Sequence, residues 1–189
     1  MRHLFLSFLL LVLSGCAASI PLVQVTRFHL GTKPMTGNIV IEPAAGTAPE
    51  SLEFGAYAAA VRREVLRLGY NDSGTPAYRL ILSYSRSERT VARQSPVTVG
   101  IGGGSSGGGI GVGIGTSFGL GRKTESLVDT RLSVQMKRAS DDLVVWEGRA
   151  QTEAPDTAPA AQPGLAADKL ARALFQDFPG ESGRTIRIP

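Results

Sequence analysis

Apolar positions recur along this chain with two periods, and the switches between them mark its elements. The opening, MRHLFLSFLLLVLSGC, is apolar with no period, since Leu4 to Leu13 is interrupted only by Ser7. Alternation begins in LVQVTRFHL (Leu22 to Leu30). Val23 and Val25 share one side there, continued by Arg27 or broken by a register shift before Phe28. NIVIEP predicts a second, shorter strand ended by Pro43. The period then lengthens. Phe54, Tyr57 with Ala58, Val61, Val65 and Leu68 fall on one face of a helix, and Arg62, Arg63, Glu64 and Arg67 take the other. Thr47 to Glu50 has capping-box spacing with Pro49 in the first turn, and Gly69 marks the end. The charged helix face reads as solvated rather than as a membrane or partner surface.

Alternation returns in AYRLILSYS, with Tyr78, Leu80, Leu82 and Tyr84 on one side. LVDTRLSVQMKR groups Leu132, Val134 and Met136, a turn follows at Ala139 to Asp142, and LVVWEGRAQT returns the chain as a hairpin. A Pro- and Ala-rich loop, Ala154 to Pro163, precedes a last helix. Its buried stripe is Leu170, Leu174 and Phe178, flanked by Ala171 and Phe175. The order β-β-α-β-β-β-α predicts an α+β domain, an antiparallel or mixed sheet with two helices packed on one face and a Gly-rich insertion.

The unpatterned opening carries its own message. Arg2 and His3 form a basic start, and an apolar run of about ten residues is too short to span a bilayer, so residues 1–15 read as a secretory signal. Leu13-Ser14-Gly15-Cys16 resembles the lipobox of bacterial lipoproteins. That resemblance implies cleavage before Cys16, a diacylglycerol on its sulfur and an acyl chain such as palmitate on its new amine. Cys16 is the one cysteine in the chain, so no internal disulfide can form. Several acyl chains make an effectively permanent anchor where one binds only marginally. Ala17, where an aspartate would retain a Gram-negative lipoprotein in the inner membrane, favours the outer membrane, facing the periplasm. Residues 16–21 are then a lipidated tether, and 22–189 suffice for one domain with a real core. Net charge is +4, mild and spread out, and with an export signal it argues against a nucleic-acid partner.

Beyond the lipobox, VTRFH, a helix ending RREVLRLGY, a tyrosine-rich strand, a glycine-laden insertion, DLVVWEGRA and a helix ending ALFQDFP follow in order. Together they resemble bacterial lipoproteins that carry the domain of unknown function 4136, with Leu143 to Gly148 the most telling stretch. The resemblance covers most of the mature chain and implies a small α/β domain tethered in the envelope. It supplies no catalytic residues. At the level of topology the chain is also similar to lipoproteins serving as accessory subunits of envelope transport or assembly machines, although fold does not fix function.

The motifs of known chemistry fail on their context. Gly102, Gly104 and Gly107 match G-x-G-x-x-G, but more glycine surrounds them and no helix pattern follows. Gly119 to Thr124 imitates a P-loop end, with Arg122 where glycine must precede Lys123. Gly103, Ser105 and Gly107 fit G-x-S-x-G, yet the one mature histidine, His29, lies in the first strand and reads as structural. Few metal ligands remain beyond the Asp141–Asp142 turn. The expectation is no cofactor, no metal and no enzyme. An envelope hydrolase would need a serine or acidic constellation assembled in three dimensions.

The glycine run has a pattern of its own. Between Gly100 and Gly121, 12 of 22 residues are glycine, a composition costly to order. A solvated loop over 97–121 is the simplest reading. With Ser105-Ser106 as a turn, however, Ile101 faces Ile110, Val99 faces Val112 and Val97 faces Ile114, a hairpin with one apolar face. Such a ribbon is marginal alone and needs an envelope protein, a second copy or the lipid surface beneath it. Arg89, Arg93, Arg122 and Lys123 at its base suit anionic headgroups and ordinary solvation of the strand ends equally well. The expectation is a lipid-anchored binding or scaffolding module. An accessory subunit of a lipid-transport or secretion machine, self-associating into an oligomer, is the alternative.

Overall fold

A computed structural model describes residues 21–31, 34–93 and 123–189. The strands are β1 (Val23–His29), β2 (Ile39–Pro43), β3 (Tyr78–Arg93), β4 (Lys123–Arg138), β5 (Val144–Pro155) and β6 (Thr185–Ile188). The helices are α1 (Leu52–Arg67) and α2 (Pro163–Phe175), with a 3₁₀ turn at Pro159–Ala161. One six-stranded sheet has the order β2-β3-β4-β5-β1-β6. β2 lies parallel to β3, and every other neighbouring pair is antiparallel. The mixed sheet and the two helices are the predicted α+β arrangement, with β6 in addition.

The alternation placed the core correctly. Val23, Val25, Leu80, Leu82, Leu132, Val134 and Met136 are fully buried beneath Tyr57, Val61 and Val65 of α1 and Leu170 and Leu174 of α2. β1 runs without a register break, so the third inward position is Arg27, itself 3% exposed. Its guanidinium donates to the carbonyls of Leu174 (2.9 Å) and Ala173 (2.8 Å), two acceptors that the end of α2 leaves without helical partners. Gly180, at φ +79°, lets the backbone pass close by, since a Cβ there would lie 2.6 Å from Arg27 Cδ.

Four boundaries differ from expectation. α1 begins at Leu52 with Ser51 as its cap, its hydroxyl accepting from the Phe54 amide at 3.4 Å. Thr47 instead closes a turn onto the Ala44 carbonyl, because residues 44–50 must carry the chain from the sheet up to the helix layer. Phe178 is buried as predicted but lies beyond α2, which ends at Phe175; Asp177, at φ +53°, turns the chain so that Phe178 folds back onto Trp146. Ala154 and Pro155 belong to β5 rather than to the loop. β3 and β4 also run well past their predicted ends and pair out to Arg93 and Lys123.

Candidate binding surface

Both helices cover the same side of the sheet, so among the described residues the opposite side is open. Strand alternation sends Ser83, Ser85, Ser133, Arg131, Arg149 and Gln151 to it. In register these form two rows, Ser83–Ser133–Arg149 and Ser85–Arg131–Gln151, around a shallow basin of about 320 Å³. Two exposed guanidinia stand over hydroxyls and one amide. Each guanidinium already has a carboxylate two residues away on its own strand, Arg131 with Asp129 at 2.9 Å and Arg149 with Glu147 at 2.5 Å. Gln151 donates to the other Asp129 oxygen at 2.7 Å, and Gln135 donates to Glu147 at 3.2 Å. The charges therefore alternate across the open face. Chemically this face can exchange hydrogen bonds and ion pairs with another polar surface. The two guanidinia are exposed and so can take other partners, while Asp129 is buried and Glu147 largely shielded beneath them.

A second hollow of about 370 Å³ lies between the β2 edge and α1, lined by Ile39, Val40, Ile41, Ala58, Ala59, Arg62 and Asp72. Arg62 and Asp72 form an ion pair at its rim. The edge beside it is largely closed. Asn71 takes the Ile39 amide (2.7 Å) and donates to the Gly37 carbonyl (3.1 Å), while Pro43 removes an amide at the far end. The alternation leaves the Ile41 amide facing out, too little for a strand-adding partner.

The residues singled out for chemistry in the described part are structural. His29 accepts from the Gly31 amide at Nδ1 (3.0 Å), so its Nε2 carries the proton and donates to the Gly180 carbonyl (3.1 Å). Asp142 pairs with Arg79 at 2.7 Å; Asp141 pairs with Arg138 at 2.9 Å and caps the Leu143 amide. The Glu42 hydrogen bond, reinforced by its charge and that of Asp142, holds the Arg79 proton more firmly than usual. Among the described residues no group of three His, Cys, Asp or Glu side chains is placed to hold a metal ion, and no helix is long and apolar enough to cross a membrane. Leu13, Ser14, Gly15 and Cys16 lie outside the described residues, as do the glycine motifs and the pairs Val97, Val99, Ile101 with Ile110, Val112, Ile114. Sequence reasoning missed the open-face basin. Its partial signal was polar residues at every second position of three strands, Ser83 and Ser85, Arg131 and Ser133, Arg149 and Gln151.

The molecule is thus an α+β domain with one face of a mixed sheet closed by helices and the other uncovered among the described residues. The chain belongs to the family described as Domain of unknown function (DUF4136), whose model matches residues 31–180. It is 31% identical, over 91% of its length and 84% of the relative's, to the uncharacterized protein ZMO1243 of Zymomonas mobilis. Among solved structures, a PDZ domain protein from Parabacteroides distasonis superposes with a TM-score of 0.51 at 9% identity, over 88% of this chain. The chain spans 38% of that protein's length, so the likeness is one of fold. A PelC dodecamer from Paraburkholderia phytofirmans matches with a TM-score of 0.43 at 11% identity, over 81% of this chain and 94% of that one.

Proposed function

We propose that this protein is a non-enzymatic lipoprotein of the cell envelope, anchored through Cys16 in the outer membrane, whose periplasmic domain is a binding or scaffolding module. The observation that carries the reading is the uncovered sheet face. An array of guanidinia, carboxylates and hydroxyls around Ser83, Ser133, Arg131 and Arg149 suits a polar protein surface. The lipobox pattern at 13–16 supports the anchor. A second reading, an accessory subunit of an envelope lipid-transport or secretion machine, draws on the same face. Its alternating Arg–Asp and Arg–Glu pairs can exchange partners with a second copy.

The test is photo-crosslinking in cells from Ser133, with Arg62 on the helix side as the control position. A discrete adduct with another envelope protein at Ser133 supports the module, and a self-adduct supports the oligomeric subunit. Equal or no adducts at both positions remove the open face from consideration. The anchor is tested separately. A metabolically incorporated acyl label should appear on the wild-type protein and vanish in Cys16→Ala, and an unlabelled wild type would refute it.

A further inference from the structure

One row of paired residues crosses five strands: Arg86, Thr130, Thr152, Val23 and Ile188. β3 and β4 continue past it as a paired ribbon from Arg86–Thr130 to Arg93–Lys123. That advance, at ~3.3 Å per residue, is about 23 Å. The chain preceding β1 leaves from the same end, because β1 enters the sheet at this row and runs away from the ribbon. It is held there. The Thr152 hydroxyl donates to the Leu22 carbonyl at 3.2 Å, and the Lys169 ammonium donates to that of Pro21.

Contour length then constrains the whole domain. Seven peptide steps from Val23 back to Cys16 reach at most about 25 Å. Fully stretched, the tether brings Cys16 only to the level of the ribbon's end; any slack brings the membrane lower still. We infer that the domain stands ribbon-first on the membrane that holds Cys16, with Arg86–Arg93 and Lys123–Thr130 against the lipid headgroups and the Ala139–Asp142 turn farthest away. This rests on the lipid anchor proposed above.

The composition of that end fits. Arg86, Glu88, Arg89 and Thr90 are exposed, and past Pro43 and Pro155 no strand among the described residues lies beside the ribbon, although the Asp156 amide donates to the Ser126 carbonyl. An open two-stranded ribbon is barred from hydrocarbon but not from the hydrated headgroup zone. Leu22 and Leu165 are half-exposed at the same end; Leu165 is in the first turn of α2, just after Ala161 packs against Val128 and Ala154. Small apolar contacts beside polar ones suit an interfacial surface.

The chain itself supplies a clean test. Cys16 is the one cysteine, and a thioether consumes its sulfur, so an introduced cysteine is uniquely labelled. The acylated full-length protein, verified by intact mass, is reconstituted in phosphatidylethanolamine–phosphatidylglycerol vesicles carrying a headgroup energy acceptor. A donor is placed at Thr90→Cys or Ser140→Cys, both exposed. Transfer at Thr90→Cys is expected to exceed that at Ser140→Cys at least fivefold. Equal transfer would mean that the domain lies on its side, and the reverse that it points away; either overturns the orientation. A mass lacking acyl chains instead overturns the anchor beneath it, so the two failures are read in separate measurements.

Discussion

The indole of Trp146 lies across the bare backbone of Gly148, two residues further along the same strand. A Cβ at Gly148 would collide with the ring and come within 2.7 Å of Leu174 Cδ1. The ring also stacks on Phe175 (centroids 5.3 Å apart), tilts against Phe178 (5.2 Å) and donates its Nε1–H to the Pro179 carbonyl at 3.0 Å. The Trp146-Glu147-Gly148 stretch is therefore a packing device: the glycine makes room, and the tryptophan fastens α2 and the segment after it to the sheet. Gly148→Ala should destabilise the fold by about 2–3 kcal/mol through overpacking. Urea unfolding followed by the fluorescence of Trp146, the one tryptophan in the chain, reads this directly. An unchanged midpoint would mean the ring does not need the space.

Arg27 should behave unlike any surface arginine. Burial pulls its guanidinium below the ordinary value and Asp177 draws it partly back, yet it still satisfies two carbonyls at the end of α2. Arg27→Met leaves those acceptors buried and unpartnered, at an expected cost of about 3 kcal/mol. Arg149→Ala, on the open face, should stay within about 0.5 kcal/mol of wild type. Denaturant midpoints that fail to separate the two variants would refute the capping role.

Alkali should weaken this protein over a defined window. Burial, aided by Glu53 beside Tyr57 and by Tyr78 beside Tyr70, pushes both phenols up to about 12, against about 10 in the unfolded chain. Between those values the unfolded state has lost its phenolic protons and the folded state has not. Stability therefore falls as pH rises from about 10 to 12, by at most about 2.7 kcal/mol per tyrosine. The Tyr57 hydroxyl is buried without a hydrogen-bond partner among the described residues, while its ring stacks on Tyr84 at 4.6 Å. Tyr57→Phe should thus be neutral or stabilising by about 1 kcal/mol near pH 7 and should flatten the alkaline decline. Urea midpoints at pH 8, 10 and 11 check both statements; a destabilised variant with an unaltered pH slope would contradict them.

Pro43 guards the β2 edge. It pairs in parallel register with Leu82, and its missing amide falls on the outward side. Pro43→Val restores that donor beside the Ile41 amide. The expected result is faster association by light scattering at unchanged monomer stability, within about 0.5 kcal/mol. Equal association rates for both proteins would show that Asn71 alone closes the edge.

The sequence was readable wherever one face of an element meets the core. Val23, Val25, Leu80, Leu82, Leu132, Val134 and Met136 announce themselves by alternation because the sheet buries one side. Arg27 stayed ambiguous for the same reason: a charged residue in an inward position has no sequence mark that distinguishes a helix-end cap from a register slip. β6 escaped because four residues, TIRI, half-buried at a sheet edge, give too short a pattern. Thr47 and Glu50 imitate a cap, and only the distance from β2 to the helix layer shows that Ser51 is the cap. The open-face basin was illegible for another reason. Its serines and arginines come from three strands, and they meet only through register.

β1 has no local partner. It fits between β5 and β6, and the hydroxyls of Thr26 and Thr185 join at 2.7 Å across 159 positions of chain. As the chain is synthesised, its first strand must wait, unpaired, for its last two. Loop closure on that scale is slow and opposed by entropy, so inserting β1 belongs to the final stage of folding. Until then Pro21 and Leu22 lack the side chains that hold them in the folded domain. Folding ends that interval when the Thr152 and Lys169 side chains close on Leu22 and Pro21.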